Sequence, residues 1–203
     1  MFSGIITHIA VVDQIKFSTK KDCLLVIDVQ SKITRKLEIG CSVACDGICL
    51  TLIKQQKNKL FFQASKETCL KTTLKNWRVG TKINIEFALK IGDEIGGHLV
   101  SGHVDGCAKL KDKKLVKDSV EMIFELKKSS QDLAKFIATK GSICLNGISL
   151  TVNKSDKKSF SVNLIPHSLQ NTNFGEIKIG DLVNVEIDLI ARYAARIRDF
   201  LRD

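Results

Sequence analysis

Three side chains of this sequence could do acid–base or nucleophilic chemistry in a small-molecule site. Histidine is the side chain best suited to proton transfer at neutral pH, so the imidazole of His103 could move a proton or hydrogen-bond a ligand. Cys49 and Ser149 stand one hundred residues apart in matching surroundings, and each could act as a nucleophile or as a hydrogen-bond donor. The structural alternatives are a turn histidine that bonds the local backbone and two small residues that line a pocket.

The match between Cys49 and Ser149 belongs to a repeat that runs through the whole chain. Three pairs of blocks define it: Gly47–Leu52 with Gly147–Val152, Val79–Glu86 with Ile179–Glu186, and Ser3-Gly4 with Ser101-Gly102. A period of this length indicates one duplicated domain and not a solenoid of short units. Two similar domains predict two similar ligand sites. The register also places His103 opposite Ile5 and His167 opposite Glu67, and these differences are candidates for different roles.

Composition limits the class of protein. The 203 residues are 44% hydrophobic, and no apolar run approaches the roughly 20 residues that span a bilayer. The first ten residues lack the pattern of a secretory signal, so we expect a cytoplasmic protein. The net charge of +10 comes from lysines spread over loops without interleaved aromatic residues. This pattern is typical of a solvated surface, and we predict no nucleic-acid partner and no membrane partner.

The seven cysteines are an odd number scattered through apolar segments, which in a cytosolic protein favours reduced, buried thiols. Cys41, Cys45 and Cys49 have a spacing that resembles a metal site. No CxxC pair exists, and an extended strand would spread these residues over roughly 25 Å. We therefore predict no metal ligand set.

Twelve short β-type runs, six in each half, predict an all-β protein of antiparallel barrels or sandwiches. Asp46-Gly47 and Asn146-Gly147 lie between consecutive runs, and such dipeptides are the strongest short-range signal for a hairpin. The predicted strands are Ile9–Ile15, Cys23–Val29, Ser42–Cys45, Ile48–Lys54, Leu60–Ala64 and Ile83–Phe87, then Gly106–Leu110, Val120–Leu126, Ser142–Leu145, Ile148–Asn153, Ser159–Leu164 and Leu182–Ile187.

Helical segments are few. Ser130 to Ile137 begins with a plausible N-cap and stops at Gly141, and Ser31 to Gly40 is its weaker counterpart. Further short helices are predicted near Ser65 and near Pro166, the only proline.

The tail departs from the repeat. From Leu189 onward, apolar residues recur at helical spacing, with Arg192, Arg196 and Arg202 elsewhere on the wheel. Such a helix either packs on its own barrel or meets copies of itself in an oligomer, and the pattern favours neither. The apolar positions are Ile190, Tyr193, Ala194, Ile197, Phe200 and Leu201.

Three segments in this order resemble the alpha-type riboflavin synthases: Phe2–Ile6, Asp93–Gly106 and Leu164–Leu169. The resemblance covers the full chain. It implies two tandem six-stranded antiparallel Greek-key barrels of the flavin-reductase-like type, and a C-terminal helix that assembles a homotrimer. The expected limits are 1–97 and 98–188 for the two lumazine-binding barrels and 189–203 for the oligomerisation helix.

The resemblance also implies a transferase reaction, the last step of riboflavin biosynthesis. Two molecules of 6,7-dimethyl-8-ribityllumazine would dismutate, with a four-carbon unit passing from one to the other, to give riboflavin and 5-amino-6-(D-ribitylamino)uracil. No external cofactor takes part. The protein must hold two flat heterocycles face to face, allow a ring methyl to lose a proton, and stabilise the anion that results.

By motif, the resemblance implies one lumazine in each barrel, with facing barrels contributed by neighbouring subunits. The N-terminal site would use Gly4, Ile5, Ile6, Cys49, Leu50, Thr51, Gln63, Ala64, Ser65, Lys66, Glu67 and Thr68. The C-terminal site would use Gly102, His103, Val104, Lys140, Ser149, Leu150, Thr151, Asn163, Leu164, Ile165, Pro166, His167 and Ser168.

The candidate catalytic residues are His103, Ser149, Cys49, Asp188 and Phe2. Asp188 could orient His103 across the subunit interface or simply cap a helix. Phe2 could cover the bound rings or anchor the first strand. Lys140 could contact substrate or face a helix dipole as a terminal cation.

Three positions depart from the family pattern, since Ser3 and Ser168 replace a common threonine and Asn146 stands where aspartate is frequent. We assign Asn146 no proton-transfer role. Two other functions stay open: a lumazine- or flavin-binding antenna protein without turnover, and a basic RNA-binding barrel.

Overall fold

The chain forms two closed six-stranded barrels in a computed structural model that describes residues 1–18, 22–31, 33–34 and 36–201. Every strand pair is antiparallel, and the orders around the barrels are β1-β2-β5-β4-β3-β6 and β7-β8-β11-β10-β9-β12. The strands are β1 His8–Phe17, β2 Cys23–Asp28, β3 Ser42–Cys45, β4 Ile48–Gln56, β5 Lys59–Ala64 and β6 Lys82–Phe87, then β7 Gly106–Val116, β8 Ser119–Leu126, β9 Ser142–Leu145, β10 Ile148–Ser155, β11 Ser159–Leu164 and β12 Leu182–Ile187. The predicted all-β class and the twelve predicted strands are confirmed.

Alternating side chains fill each barrel. In β5, Leu60, Phe62 and Ala64 are buried while Gln63 between them is exposed, which is the period-two pattern of a sheet with one solvated face. The second barrel centres on Phe124, whose ring lies 5.7 Å from that of Phe160. Each half therefore has its own hydrophobic core.

Each barrel contains a hairpin with a two-residue turn. Asp46-Gly47 joins β3 to β4 and Asn146-Gly147 joins β9 to β10. All four residues have positive φ angles, between 44° and 83°, as the twist-compatible two-residue turn requires. The hairpin prediction is confirmed at both positions.

Of the two predicted helical inserts, the first forms a helix and the described part of the second does not. Lys128–Phe136 is a 3₁₀ helix and not an α-helix, and the Ser130 hydroxyl does not cap it but accepts a hydrogen bond from the Cys107 amide at 3.3 Å. The described part of Ser31 to Gly40 contains no helix, and residues 32 and 35 lie outside the described residues. Short α-helices at Lys66–Lys71 (α1) and Pro166–Asn171 (α2) are confirmed, each followed by a 3₁₀ turn, Thr73–Asn76 and Asn173–Gly175.

The C-terminal helix α3 spans Leu189–Phe200 and begins where predicted, with Asp188 accepting a cap hydrogen bond from the Ile190 amide at 2.8 Å. Arg192 pairs with Asp105 of the second barrel at 2.5 Å. Arg202, which the sequence placed on the same wheel, lies outside the described residues. Across the residues that the structure describes, no helix combines the length and apolar character that crossing a membrane requires.

Asparagines join the two barrels through a pseudo-symmetric hydrogen-bond pair. The Asn84 side chain donates to the Asn146 carbonyl and the Asn184 side chain donates to the Asp46 carbonyl, both at 2.9 Å. The Asn84 and Asn184 amides in turn donate to the side chains of Asp46 and Asn146, both at 2.7 Å. Burial raises the pKa of Asp46 to about 8, so one side of this symmetric pair can carry a charge and the other cannot.

Candidate active site

A segment before each barrel crosses to the other barrel. We call residues 2–6 the first arm and residues 100–104 the second arm. The carbonyl of Gly4 accepts a hydrogen bond from the Ser149 amide, and the carbonyl of Gly102 accepts one from the Cys49 amide, both at 2.8 Å. The arms also pair with each other, since the Phe2 and Val100 backbones exchange two hydrogen bonds.

This crossing corrects the grouping of the predicted site residues. The family resemblance placed Gly4-Ile5-Ile6 with Cys49 and Gly102-His103-Val104 with Ser149. In the structure the first arm lies against Ser149, and Ile6 packs against the core of the second barrel. The second arm lies against Cys49, and Val104 packs against the core of the first barrel. The repeat in the sequence identifies equivalent positions in the two halves, but it does not show which barrel each arm contacts.

Glycine is required where each arm meets a strand. Gly4 and Gly102 have φ angles of +77° and +80°, and a Cβ on either would lie 2.5–2.6 Å from the Cβ of Ser149 or Cys49. A side chain would therefore separate the arm from the strand.

A buried glutamate holds each arm from the side of its own barrel. Glu86 of β6 accepts hydrogen bonds from the Ser3 amide, the Ser3 hydroxyl and the Gly4 amide at 2.6–3.0 Å. Glu186 of β12 accepts the equivalent three from Ser101 and Gly102 at 2.6–2.9 Å. Burial raises the pKa of Glu86, against the lowering effect of these donors. The contact with Glu86 needs only a hydroxyl group, so Ser3 can make it in place of the more common threonine.

Four polar residues among the remaining predicted contacts lie on the outer faces of the barrels, two on each. Thr51 of β4 and Gln63 of β5 are both exposed. Each is the sequence neighbour of a residue in the strand pair Leu52–Phe62. Thr151 and Asn163 occupy the same positions in the second barrel, beside the pair Val152 and Val162. Hydroxyl and amide groups therefore point outward, where a flat polar ligand could pair with them.

The predicted contacts that follow β5 and β11 lie at the start of the short helices α1 and α2, which border these faces. Ser65 caps α1 by accepting a hydrogen bond from the Thr68 amide at 3.2 Å, and Glu67 pairs with Lys71 at 2.9 Å. In the second half Pro166 and His167 open α2 and are exposed. Leu50, Ala64, Leu150 and Leu164 are buried, so their side chains belong to the cores.

Lys140 has an unusual backbone. Its φ is +68°, and its amide donates to the Val152 carbonyl at 2.7 Å. The first half has Gly40 at the equivalent place, with φ +93° and a hydrogen bond from its amide to the Leu52 carbonyl. A left-handed conformation costs a lysine about 1 kcal/mol more than a glycine. The second half thus has an exposed lysine in a left-handed conformation beside the predicted site.

The other catalytic candidates lie in different surroundings. His103 is exposed on the second arm, and its amide donates to the Ser101 hydroxyl at 3.3 Å. Phe2 is fully buried between the barrels in a cluster with Val100 and Cys144, which favours its interpretation as an anchor. Asp188 caps α3, as one of its two interpretations predicted.

Sequence reasoning missed His98. Its Nδ1 lies 2.6 Å from the Ser149 Oγ, inside the Asp93–Gly106 segment that carries the family resemblance. The signal was present, because a glycine pair before a histidine indicates a close approach. The partner could not be found, because the approach links residues 51 positions apart.

The fold and the paired outer faces define a protein of two lumazine-binding domains: the model of the lumazine binding domain matches residues 3–88 and 101–188. The riboflavin synthase of Brucella abortus is 45% identical over 98% of this chain and 99% of its own length. That of Bacillus subtilis is 35% identical over 97% and 89%. The chain belongs to the riboflavin synthase family.

Solved structures agree with this fold. LumP in complex with 6,7-dimethyl-8-(1'-D-ribityl)lumazine superposes with a TM-score of 0.78, covers 92% of this chain and is 20% identical. LumP in complex with riboflavin gives the same TM-score at 23% identity. At these identities the likeness concerns the fold alone.

Proposed function

We propose that the chain catalyses the dismutation of two molecules of 6,7-dimethyl-8-ribityllumazine to riboflavin and 5-amino-6-(D-ribitylamino)uracil without an external cofactor. The observation that carries the proposal is the pair of equivalent outer faces, each completed by an arm from the other half. A reaction between two copies of one molecule needs two such places. Binding both copies converts a bimolecular encounter into a local one, which removes a large part of the barrier.

The chemical differences between the two faces support opposite roles for the two copies. The face on the first barrel has the Cys49 thiol and His103 of the second arm, while the face on the second barrel has the Ser149 hydroxyl, Lys140 and Ile5 of the first arm. Polar donors on these faces could stabilise negative charge that develops on a lumazine ring.

We further propose that the enzyme is a homotrimer in which the first barrel of one subunit faces the second barrel of its neighbour. The exposed apolar positions on α3 support assembly: Ile190 and Phe200 are each 73% exposed in the single chain. The outward direction of Thr51, Gln63, Thr151 and Asn163 supports a reaction between subunits, because these groups face away from their own barrel.

The domain limits 1–97, 98–188 and 189–203 stay a prediction within this proposal. We also propose a cytoplasmic location, which the seven free cysteines support because such thiols persist in a reducing compartment.

One incubation tests the activity. Purified protein is mixed with the ribityllumazine alone, and riboflavin absorbance is followed. Steady formation of riboflavin is the expected result. Binding without product would leave the antenna interpretation, and no binding at all would remove both. The high identity to synthases over the full chain favours turnover.

A further inference from the structure

A cavity of about 540 Å³ lies between the two barrels. Equivalent residues of both halves line it, among them Asp46 with Asn146 and Gly80 with Gly180. Among the residues that the structure describes, none of the predicted lumazine contacts forms part of its wall. Small-molecule sites usually have volumes of roughly 300 to 1,000 Å³. This inter-barrel cavity is therefore large enough for a ligand of its own.

Asp46 offers this cavity one free carboxyl oxygen. The residue is only 3% exposed. Its Oδ1 accepts two hydrogen bonds, from the Asn84 amide at 2.7 Å and from the Asn173 side chain at 2.9 Å. No donor from the described part of the chain reaches Oδ2. Because a buried polar atom without a partner is costly, the carboxyl favours a ligand that brings a donor to this oxygen.

The charges on the wall favour a cationic ligand. Asp46 and Asp181 are acidic, while Lys82 is paired with Glu176 across the two halves. Trp77, the only tryptophan of the chain, adds an aromatic group to the wall, and aromatic rings attract organic cations. Within the described residues, no three acidic, cysteine or histidine side chains converge as a metal ion would require. An organic cation therefore fits this wall better than a metal ion does.

We propose that the inter-barrel cavity binds a small organic cation whose ammonium group donates a hydrogen bond to Oδ2 of Asp46. The site does not depend on the proposed function, because the outer faces contribute none of these residues. Burial raises the pKa of Asp46 to about 8, so near neutral pH the carboxyl holds a proton that the cation must displace. Binding should therefore strengthen as the pH rises towards 8. The equivalent Asn146 carries no charge, so the cation binds at one end of a pseudo-symmetric cavity.

Propylammonium chloride is the probe, with 1-propanol as the neutral control and sodium chloride as the ionic control. Because Trp77 is the only tryptophan, the NMR signal of its indole N–H in the full-length protein reports on the cavity directly. We expect a saturable shift with propylammonium and none with either control. The apparent Kd should fall by up to about tenfold per pH unit between about pH 6 and 8. A shift that either control reproduces, or no shift at all, would overturn the proposal.

Two variants, compared above pH 8, separate the contact from general attraction, because each removes one carboxylate from the same wall. Asp46→Asn replaces the free oxygen with an amide group and should weaken binding by about tenfold or more. Asp181→Asn acts where the side chain is exposed and should change Kd by less than about twofold. Equal losses in the two variants would reduce the effect to non-specific attraction and refute the site. If Asp46→Asn fails to fold, a wild-type Kd that is independent of pH would still refute it.

Discussion

Gly4 and Ser149 lie in different halves of the chain, and the carbonyl of Gly4 accepts a hydrogen bond of 2.8 Å from the Ser149 amide. The equivalent bond joins Gly102 to Cys49. Each candidate pocket therefore contains residues from both halves, and neither half holds a complete one. A substitution in an arm should accordingly affect the ligand on the opposite barrel.

His103→Ala should slow turnover more than it weakens binding. The ring is exposed on the second arm beside Cys49, where it is free to exchange a proton with a ligand. We expect a loss of about 100-fold in kcat, in line with removal of a general acid or base, with the affinity for ribityllumazine changed far less. Stopped assays of riboflavin and fluorescence titration of the ligand measure the two effects. An unchanged kcat would end the catalytic role assigned to His103.

Lys140→Gly should weaken ligand binding while making the protein more stable. The change relieves a positive φ of 68° and should raise the free energy of unfolding by about 1 kcal/mol. Removal of the side chain should lower affinity for ribityllumazine by about tenfold if the lysine contacts it, as one charge-assisted hydrogen bond would.

The matched control for this change is Lys117→Gly, at another positive φ (53°) in the turn between β7 and β8. It should stabilise the protein to a similar degree and leave binding unchanged. Equal binding by Lys140→Gly and the control would show that Lys140 is only a turn residue.

Asp46→Asn should flatten the dependence of stability on pH. The folded-state pKa of Asp46 is about 8 and its ordinary value is 3.8. Between these values the folded protein keeps a proton that the unfolded chain has released, so this group makes stability fall as pH rises, by at most about 1.4 kcal/mol per pH unit. The asparagine removes this slope, and Asn146 shows that the equivalent turn accepts an amide.

Urea unfolding at several pH values from about 5 to 8 measures this difference. Asn146→Asp adds a second buried carboxyl at the equivalent turn and should steepen the slope instead. Parallel curves for the wild type and both variants would mean that Asp46 is ionised in the folded protein.

Removal of Ile190 to Asp203 should produce monomers with little activity, because it takes away the exposed apolar positions of α3. The single change Ile197→Glu, which leaves the Arg192–Asp105 ion pair in place, should have the same effect. Arg198→Ala on the same helix is the control and should remain trimeric. Sedimentation and riboflavin assays on the same samples check both outcomes. A fully active monomer would be incompatible with a site between subunits.

Local signals predicted most of the fold. Asp46-Gly47 and Asn146-Gly147 indicated their hairpins because a two-residue turn needs positive φ at both positions, and the repeat extended each strand assignment to its counterpart. The predicted helical segment Ser130 to Ile137 forms the 3₁₀ helix Lys128–Phe136, which begins two residues before the predicted N-cap. The hydroxyl of Ser130, a plausible cap in sequence, bonds the distant Cys107 amide instead.

The candidate site was harder to predict from the sequence than the fold. Residue types identified Cys49, Ser149 and His103 as candidates, but their partners depend on how two barrels dock. The crossed arms exchange the partners that the family resemblance implied, and His98 meets Ser149 only after that docking. Long-range packing of this kind leaves no periodic pattern in a single chain.

The crossed arms also bear on the history of the duplication. If one half existed as a separate protein, its arm could form the same hydrogen bonds only with the barrel of a second copy. Such a pair would be a symmetric dimer with two identical pockets. In one chain the two halves have separate sequences, so each pocket can differ from the other. Ser149 against Cys49 and His103 against Ile5 then mark where that symmetry was broken, and a hybrid chain with two copies of the same half should bind two ligands alike and distinguish neither.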